Sequence, residues 1–307
     1  MQTTCNLGYD QLNGWAADDL AAAFTVFRAT LAALTTFEWD AIRVAADVVP
    51  DARAFFEEWF VPVLIGPDTL FTGYYEPELD GSLIRDVRFT VPVHALPAGL
   101  PAGPWLTRQQ IEESGALAGC EICWIEAPLD RFFLQVQGCG RIRLADGRVI
   151  RLGFAGRNGH PYRSVGAELI ARGVCASEQM SMQVIRDWAA QHPVAVQSLL
   201  WCNPGYVFFR EVTGIAPEQG PIGALGLSVS PLRSLAVDPA HVPLAAPVWI
   251  ETEGLHCLMV AQDTGSAIKG PNRADVFCGT GAEAGARAGA MRDPGRMIAL
   301  LPRALVV

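Results

Sequence analysis

The stretch Ala261-Gln-Asp-Thr-Gly-Ser-Ala-Ile-Lys-Gly-Pro-Asn-Arg-Ala-Asp-Val-Phe-Cys-Gly-Thr-Gly281 carries the strongest structural signal of this 307-residue chain. It holds two aspartates, Asp263 and Asp275, and each borders an apolar run, at 258–261 and 276–277. Apolar runs that end in glycine-bounded turns indicate buried strands. Because Asp is a poor strand former, an aspartate at each strand end needs a reason. Either each aspartate closes an Asx turn, or the two carboxyls meet for acid/base chemistry on a sugar.

The composition around this stretch is that of a globular protein of one or two domains. Half of the residues are hydrophobic and 18% are charged, which excludes a disordered chain. No run of about 18 apolar residues occurs, so we expect no transmembrane helix. The formal net charge of −9 argues against nucleic acid as a partner.

The eight cysteines raise the questions of disulfide bonding and metal binding. An even count fits disulfides in an oxidising compartment, although the sequence leaves their connectivity open. Cys120 and Cys123 form a Cys-x-x-Cys pair, but neither a second such pair nor two histidines at zinc spacing accompany it. We therefore predict no metal site. We also predict no organic cofactor, since no phosphate-binding glycine loop leads from a strand into a helix.

Two helices are predicted near the N-terminus. The first spans residues 17–35, with apolar side chains spaced by three and four and with Asp18 or Asp19 able to cap its start. The second spans residues 51–60, and we assign its four aromatic side chains to the core rather than to a sugar-binding platform. We expect both helices to pack against the domain that contains the two aspartates.

Residues 77–207 show a mixed pattern of strands and helices. A capping box, a tight hairpin turn and a serine N-cap mark several elements. These are a helix from Thr107 to Gly115, a hairpin of residues 141–144 and 148–152 that turns at Asp146-Gly147, and helices at 164–172 and 181–191. We assign His160, which lies in a loop, a structural hydrogen bond rather than a catalytic role.

Amide and aromatic side chains in two places suit a sugar-binding wall. Residues 132–137 predict a strand on which Gln135 and Gln137 share one face, although a solvent-facing polar stripe fits the same pattern. Tyr74 and Tyr75 could stack on a sugar ring and donate a hydrogen bond to it. The alternative for the tyrosines is a strand with one ring buried and one exposed.

From Tyr206 onward the sequence alternates short strands and turns. This all-β finish, with near-regular spacing, favours a small barrel. The predicted strands are 206–211, 224–229, 233–237, 247–251, 256–262, 275–278 and 296–302.

Five further motifs follow one another along the chain: Phe71-Thr-Gly-Tyr-Tyr-Glu-Pro-Glu-Leu79, Phe133-Leu-Gln-Val-Gln-Gly138, Asn158-Gly-His-Pro-Tyr-Arg-Ser164, Asn203-Pro-Gly-Tyr-Val-Phe-Phe209 and Arg233-Ser-Leu-Ala-Val-Asp238. They resemble motifs of the membrane-bound lytic murein transglycosylase A family and occur in the family's order. The stretch 261–281 resembles the family's 3D domain, named for its aspartates. The resemblance covers most of residues 70–303.

The resemblance implies an α+β fold that is mainly β with helices. A double-psi β-barrel would comprise residues 1–76 and 208–307. A second β-rich, substrate-binding domain would be inserted at residues 77–207, with a substrate groove between the two.

The activity implied by the resemblance is cleavage of the β-1,4 bond between N-acetylmuramic acid and N-acetylglucosamine in peptidoglycan. One carboxyl protonates the linking oxygen, the muramyl 6-hydroxyl attacks its own anomeric carbon, and the same carboxylate takes up the proton. Because this nucleophile is intramolecular, no second carboxylate nucleophile is required. The product carries a 1,6-anhydromuramyl end.

Local chemistry favours Asp275 as the acid, because its neighbours are apolar and burial raises the pKa of a carboxyl. Asp263 precedes Thr264 in a turn whose hydrogen bonds would favour the ionised form. By resemblance, Asp275 falls at the family's catalytic aspartate and Asp263 at its second aspartate. Lys269 and Arg273 could oppose the rise in pKa if they point inward, and we expect Lys269 to contact substrate or loop backbone.

The resemblance also assigns substrate contacts, and the chain departs from the family at two places. The assigned residues are Thr72, Tyr74, Tyr75, Gln135, Gln137, Gly138 and Lys269. Cys139 stands where the family usually has serine, and a thiol is a weaker hydrogen-bond partner than a hydroxyl. Cys278 stands at a position that is usually aromatic or polar. Neither change touches the aspartates, so we still expect activity.

By resemblance, the partner is a peptidoglycan glycan strand, and the protein is a periplasmic, outer-membrane-associated monomer whose full-length precursor carries a lipid anchor. Residues 1–8 show neither a basic nor an apolar signal region, so we expect the export signal to be absent from this sequence. We interpret Cys5 as an ordinary cysteine. Two alternatives remain open: an inverting glycoside hydrolase, with Asp275 as acid and Asp263 as base, and a non-catalytic cell-wall-binding module.

Overall fold

The structure, a computed structural model, describes residues 5–34 and 39–305. These form two compact units. The first comprises the chain up to Tyr74, Ile222–Gly279 and the part from Ala290 onward, and the second comprises Tyr75–Pro221 and Thr280–Gly289. None of the helices in the described part of the chain is long and apolar enough to cross a bilayer.

Three helices precede the first sheet: α1 (Leu20–Ala33), α2 (Asp40–Val48) and α3 (Ala52–Trp59). Helices α1 and α3 are the two that the sequence predicts, although residue 35, the predicted end of α1, lies outside the described residues. The side chains of Asp19 and Asp51 cap them by accepting hydrogen bonds from backbone N–H groups, as N-cap residues do. The aromatic side chains of both helices share a core with Trp249 and Leu258, which confirms the predicted core role of Phe55, Phe56 and Phe60.

The first unit is built on a seven-stranded sheet with the order β1-β2-β12-β9-β11-β10-β13. Strand β13 also pairs with β2, so the six strands from β2 to β13 form a closed ring. The strands are β1 (Cys5–Asn6), β2 (Phe60–Glu76), β9 (Ser234–Ala236), β10 (Pro247–Thr252), β11 (His256–Asp263), β12 (Arg273–Thr280) and β13 (Arg292–Pro302). A core of aliphatic side chains from these strands is shielded from water, which supplies the main stabilising free energy.

The second unit contains a six-stranded sheet with the order β4-β5-β3-β6-β7-β8. Its strands are β3 (Glu78–Ser82), β4 (Val91–His94), β5 (Glu121–Ile125), β6 (Cys139–Arg143), β7 (Val149–Arg157) and β8 (Val207–Glu211). Its helices are α4 (Arg108–Ser114), α5 (Pro128–Gln137), α6 (Val165–Ala171), α7 (Met182–Gln191), α8 (Val196–Trp201) and α9 (Gly281–Ala290). The capping box of α4, the β6–β7 hairpin and the Ser164 cap of α6 are present as predicted.

The predicted strand at residues 132–137 is wrong, because this segment is the end of α5. Pro128 occupies the first turn, where its missing N–H has no cost. Gly138 ends the helix in the left-handed conformation at φ 75°, which is a common helix stop. On a helix, residues two apart do not face the same side, so Gln135 and Gln137 do not form the predicted amide face.

The predicted all-β finish is also wrong in two places. Residues 224–229 form no strand and make only an isolated bridge between Ile222 and Ser228. The Gly/Ala-rich segment after β12 is helix α9, in which the high helix propensity of its alanines prevails over its glycines. All eight cysteines lie in the described residues, and no disulfide joins any of them.

The buried carboxylate of Glu76, at the start of the second unit, is hydrogen-bonded to three other residues of that unit. Glu76 is 1% exposed and accepts hydrogen bonds from Arg141 at 2.8 Å, Arg151 at 3.2 Å and the Thr280 hydroxyl at 2.8 Å. A buried carboxylate is tolerated when paired and hydrogen-bonded in this way. The residue that follows Tyr75 is therefore held by two strands of the sheet, β6 and β7.

Candidate active site

The short strand β9 brings the two aspartates together. Ala236 pairs with Asp263 on β11 at one side and with Asp275 on β12 at the other. Neighbouring strands lie about 4.8 Å apart, so the two Cα atoms are separated by two strand spacings, roughly 10 Å. The negative charge of Asp275 also raises the pKa of Asp263, which shows that the two carboxyls interact.

Asp275 has one oxygen engaged by the protein. Its Oδ1 accepts hydrogen bonds from the Thr72 hydroxyl and from Arg273 Nη2, the latter at 3.2 Å. Arg273 is itself held by the Leu70 carbonyl at 3.1 Å. Oδ2 accepts no hydrogen bond from any residue that the structure describes.

Burial raises the pKa of Asp275 above its ordinary value. The hydrogen bond from Thr72 and the charge of Arg273 oppose this rise without cancelling it. Although protein atoms surround the carboxyl, 21% of its side-chain surface remains open to solvent. A carboxyl that is partly dehydrated but still accessible can deliver and recover a proton.

Asp263 is held differently. Its Oδ1 accepts hydrogen bonds from the backbone N–H groups of Thr264 at 2.9 Å and Ala224 at 3.0 Å. The Tyr74 side chain also acts on Asp263 and lowers its pKa. These contacts lower the pKa of Asp263, as the turn predicts, but burial outweighs them and the net pKa is raised. The sequence therefore predicts the effect of the turn on the pKa of Asp263 but not the larger, opposite effect of burial.

Asp238 anchors the loop between the two aspartates, and the sequence reasoning gave it no role. Its carboxylate accepts hydrogen bonds from Gly270 N at 2.8 Å and Ala240 N at 3.2 Å. These bonds, followed by the charge of Lys269, lower the pKa of Asp238. Lys269, the only lysine of the sequence, is exposed on this loop. The sequence feature that could have identified Asp238 is its position directly after the strand predicted at residues 233–237.

A buried polar chain adjoins Asp263 in sequence and was also missed. Gln262 Nε2 donates to the Thr30 hydroxyl oxygen at 2.8 Å, and the Ser234 hydroxyl donates to Gln262 Oε1. All three side chains are at most 1% exposed. The chain thereby connects helix α1 to β11, which carries Asp263, and to β9, which lies between the two aspartates.

The second unit brings together other predicted contact residues. Gln137 Oε1 accepts a hydrogen bond from the backbone N–H of Tyr75 at 3.0 Å. The Tyr75 side chain is 6% exposed and packs against Gly285, where a Cβ atom would lie 2.8 Å from the ring. Gln135 is buried and donates to the Val207 carbonyl at 3.0 Å. Gly138 has open space around its Cα.

The predicted site residues thus divide between the units. The first unit contains Thr72, Tyr74, Asp263, Lys269 and Asp275, and the second contains Tyr75, Gln135, Gln137 and Gly138. Across the described residues, no group of three or more His, Cys, Asp and Glu side chains is arranged to hold a metal ion. The chemistry that this arrangement offers is proton transfer by carboxyls of raised pKa.

Two family models match the chain: the MltA specific insert domain at residues 70–210 and the 3D domain at residues 233–301. A crystal structure of a membrane-bound lytic murein transglycosylase from Agrobacterium tumefaciens shares 31% identity, with 98% of each chain covered and a TM-score of 0.90. Escherichia coli MltA with bound chitohexaose shares 29% identity, with 92% and 89% covered and a TM-score of 0.78.

Membrane-bound lytic murein transglycosylase A of Escherichia coli strain K12 is 38% identical over 239 residues. The match covers 74% of this chain and 64% of that relative, so the chain spans less than two thirds of the relative's length. The fold and the aspartate pair define a 3D-domain protein that carries the MltA-specific insert. The chain belongs to the membrane-bound lytic murein transglycosylase A family.

Proposed function

We propose that this protein is a lytic transglycosylase that cleaves the β-1,4 bond between N-acetylmuramic acid and N-acetylglucosamine in peptidoglycan. The observation that carries the proposal is Asp275, whose pKa is raised by burial and whose Oδ2 is uncommitted. Family membership supports the same reaction. The product would carry a 1,6-anhydromuramyl end.

In the proposed mechanism Asp275 acts first as general acid and then as general base. Oδ2 protonates the glycosidic oxygen while Thr72 and Arg273 hold Oδ1 in place. The 6-hydroxyl of the muramyl residue attacks the anomeric carbon, and its proton passes to the carboxylate. Holding the nucleophile on the same sugar replaces a bimolecular step by an intramolecular one, which gives a large rate advantage.

Asp263 would stabilise the positive charge that develops on the sugar ring, and the backbone N–H groups of Thr264 and Ala224 hold it in position for this role. A fixed carboxylate in a water-poor site stabilises such charge strongly. The remaining proposed contacts to the glycan are Thr72, Tyr74, Tyr75, Gln135, Gln137, Gly138 and Lys269. The chitohexaose bound to the E. coli relative supports a glycan ligand.

We further propose that the closed six-stranded ring has double-psi β-barrel topology and that residues 77–207 belong to an insert in it, which extends to Pro221 because β8 pairs in the sheet of the second unit. The pairing of β13 with β2 supports a barrel. Family membership supports the further proposal of a monomer in the periplasm that is associated with the outer membrane through a lipid anchor on the precursor. Analytical ultracentrifugation tests whether the protein is a monomer. Cell fractionation of the expressed precursor tests the association with the outer membrane.

Product analysis in heavy-oxygen water tests the reaction. Purified peptidoglycan is incubated with the protein, and the muropeptides are weighed by mass spectrometry. We expect fragments one water lighter than hydrolysed ones, without solvent oxygen. An inverting hydrolase that uses both aspartates would place labelled oxygen at the new reducing end, and a binding module would release no fragments. Either outcome would refute the proposal.

A further inference from the structure

A cavity of about 340 Å³ in the second unit is lined by none of the residues assigned to the glycan above. Its apolar walls come from strand β4 and from helices α4 and α5, together with the loop that follows α4. The indole of Trp201 forms part of its lining. Its polar lining includes His94, Glu112, Glu121 and Arg131.

His94 offers this cavity a hydrogen-bond donor. The side chain is only 7% exposed, and its Nδ1 lies 2.8 Å from the Tyr206 hydroxyl. We assign the Tyr206 hydroxyl as the donor to Nδ1, which places the imidazole hydrogen on Nε2. Nε2 makes no hydrogen bond within the described part of the chain. Burial, followed by the charge of Arg131, lowers the pKa of His94 to about 4, so the ring is neutral at pH 7.

The carboxylate of Glu112 is not available to a ligand, because its oxygens already accept hydrogen bonds from other side chains. It accepts hydrogen bonds from Arg108 at 3.5 Å, Arg131 at 2.5 Å and Trp201 Nε1 at 2.8 Å, and a further one from Gln197. A buried carboxylate needs such compensation. The charge of Glu112 is thus balanced within the wall of the cavity.

Glu121 supplies the complementary acceptor. It is the partner of His94 across β4 and β5, next to a register shift between Val93 and His94, and its charge acts on His94 by raising the pKa of the imidazole. Its Oε2 accepts from Gly119 N at 2.8 Å, and its Oε1 receives no hydrogen bond from the residues described. The cavity therefore combines one neutral N–H donor, one open carboxylate oxygen and an apolar wall.

We propose that this cavity binds the acetamido group of a 2-acetamido sugar, as a second glycan contact. The acetamido carbonyl accepts from His94 Nε2, its N–H donates to Glu121, and its methyl group lies on the apolar wall. The charge of Glu121 disfavours a phosphate or a free carboxylate. The choice of a sugar as the bearer of the amide rests on the proposed function.

Nuclear magnetic resonance of the full chain tests the site with N,N′-diacetylchitobiose and with its deacetylated counterpart as probes. We expect the acetylated disaccharide to shift the Nε2 resonance of His94 in a saturable manner, and the deacetylated one to leave it unchanged. Ala118→Trp, at the cavity rim, should weaken this binding about tenfold. Ala116→Trp is the matched control, because Ala116 is exposed on the same loop and does not line the cavity.

Equal response to the deacetylated disaccharide, or an unshifted His94 at saturation, would overturn the inference. So would Ala118→Trp binding as tightly as the control. Anhydromuramyl products from a protein whose His94 does not respond would refute this site and leave the proposed function intact. A responding His94 in a protein that forms no anhydromuramyl ends would do the reverse.

Discussion

Replacing Gln262 by methionine should destabilise the first unit and impair the aspartate pair. Methionine keeps the length and approximate volume of the side chain, so packing changes little. The substitution removes the hydrogen bonds to Thr30 and from Ser234, and it leaves the buried Ser234 hydroxyl without its acceptor. The lost bond to Thr30 costs about 1 kcal/mol and the unpaired Ser234 donor about 1–3 kcal/mol, for a total of about 2–4 kcal/mol.

Urea unfolding followed by tryptophan fluorescence measures this loss as a lower midpoint at unchanged slope. Ser234→Ala in the Gln262→Met background is the matched control. It removes the Ser234 hydroxyl that has lost its acceptor, and this should restore part of the stability. We also expect reduced transglycosylase activity, since Gln262 adjoins Asp263 and Ser234 belongs to the strand between the aspartates. A loss below about 1 kcal/mol, or no recovery in the double variant, would contradict the reasoning.

Three further predictions concern the site directly. Asp275→Asn should abolish turnover while glycan binding, measured by calorimetry, is kept, because the near-isosteric amide has no acidic proton; Asp263→Asn should impair turnover less. An active Asp275→Asn enzyme would disprove the assignment. Arg273→Gln should move the alkaline limb of the kcat/KM profile to higher pH, because the arginine charge lowers the pKa of Asp275 and its loss keeps the acid protonated to higher pH; a shift to lower pH would exclude this role. Gly285→Ala should cost about 1–3 kcal/mol in thermal unfolding, since its Cβ atom would lie 2.8 Å from the Tyr75 ring and overpacking is destabilising. Gly289→Ala, whose Cβ would meet its nearest neighbour at 4.0 Å, is the control, and equal melting temperatures would contradict the packing argument.

Local sequence signals predicted those elements whose causes are themselves local. Helices α1 and α3 follow from a periodic apolar face and an aspartate cap, and the capping box of α4 is a short-range pattern. The segment 132–137 misled because a short apolar run fits helix and strand equally. Pro128 and Gly138, which bound α5, were the decisive signals.

The candidate site was predictable in its aspartates but not in their surroundings. Asp263 and Asp275 stand out as carboxyls at strand ends. The contact of Thr72 with Asp275 joins residues 203 positions apart, and no local pattern reports such pairing. The raised pKa of Asp263 likewise depends on burial by distant segments, which outweighs the turn that the sequence shows.

The register around Ala236 has a consequence for how this site can vary. The strands that pair with β9 on both sides set the distance between the carboxyls. This distance therefore does not depend on the loop at residues 264–272. That loop can change in length and sequence at a small entropic cost, which grows only slowly with loop length. Selection or engineering can therefore remodel the surface next to the aspartates, and with it the choice of glycan, while the reacting groups keep their spacing.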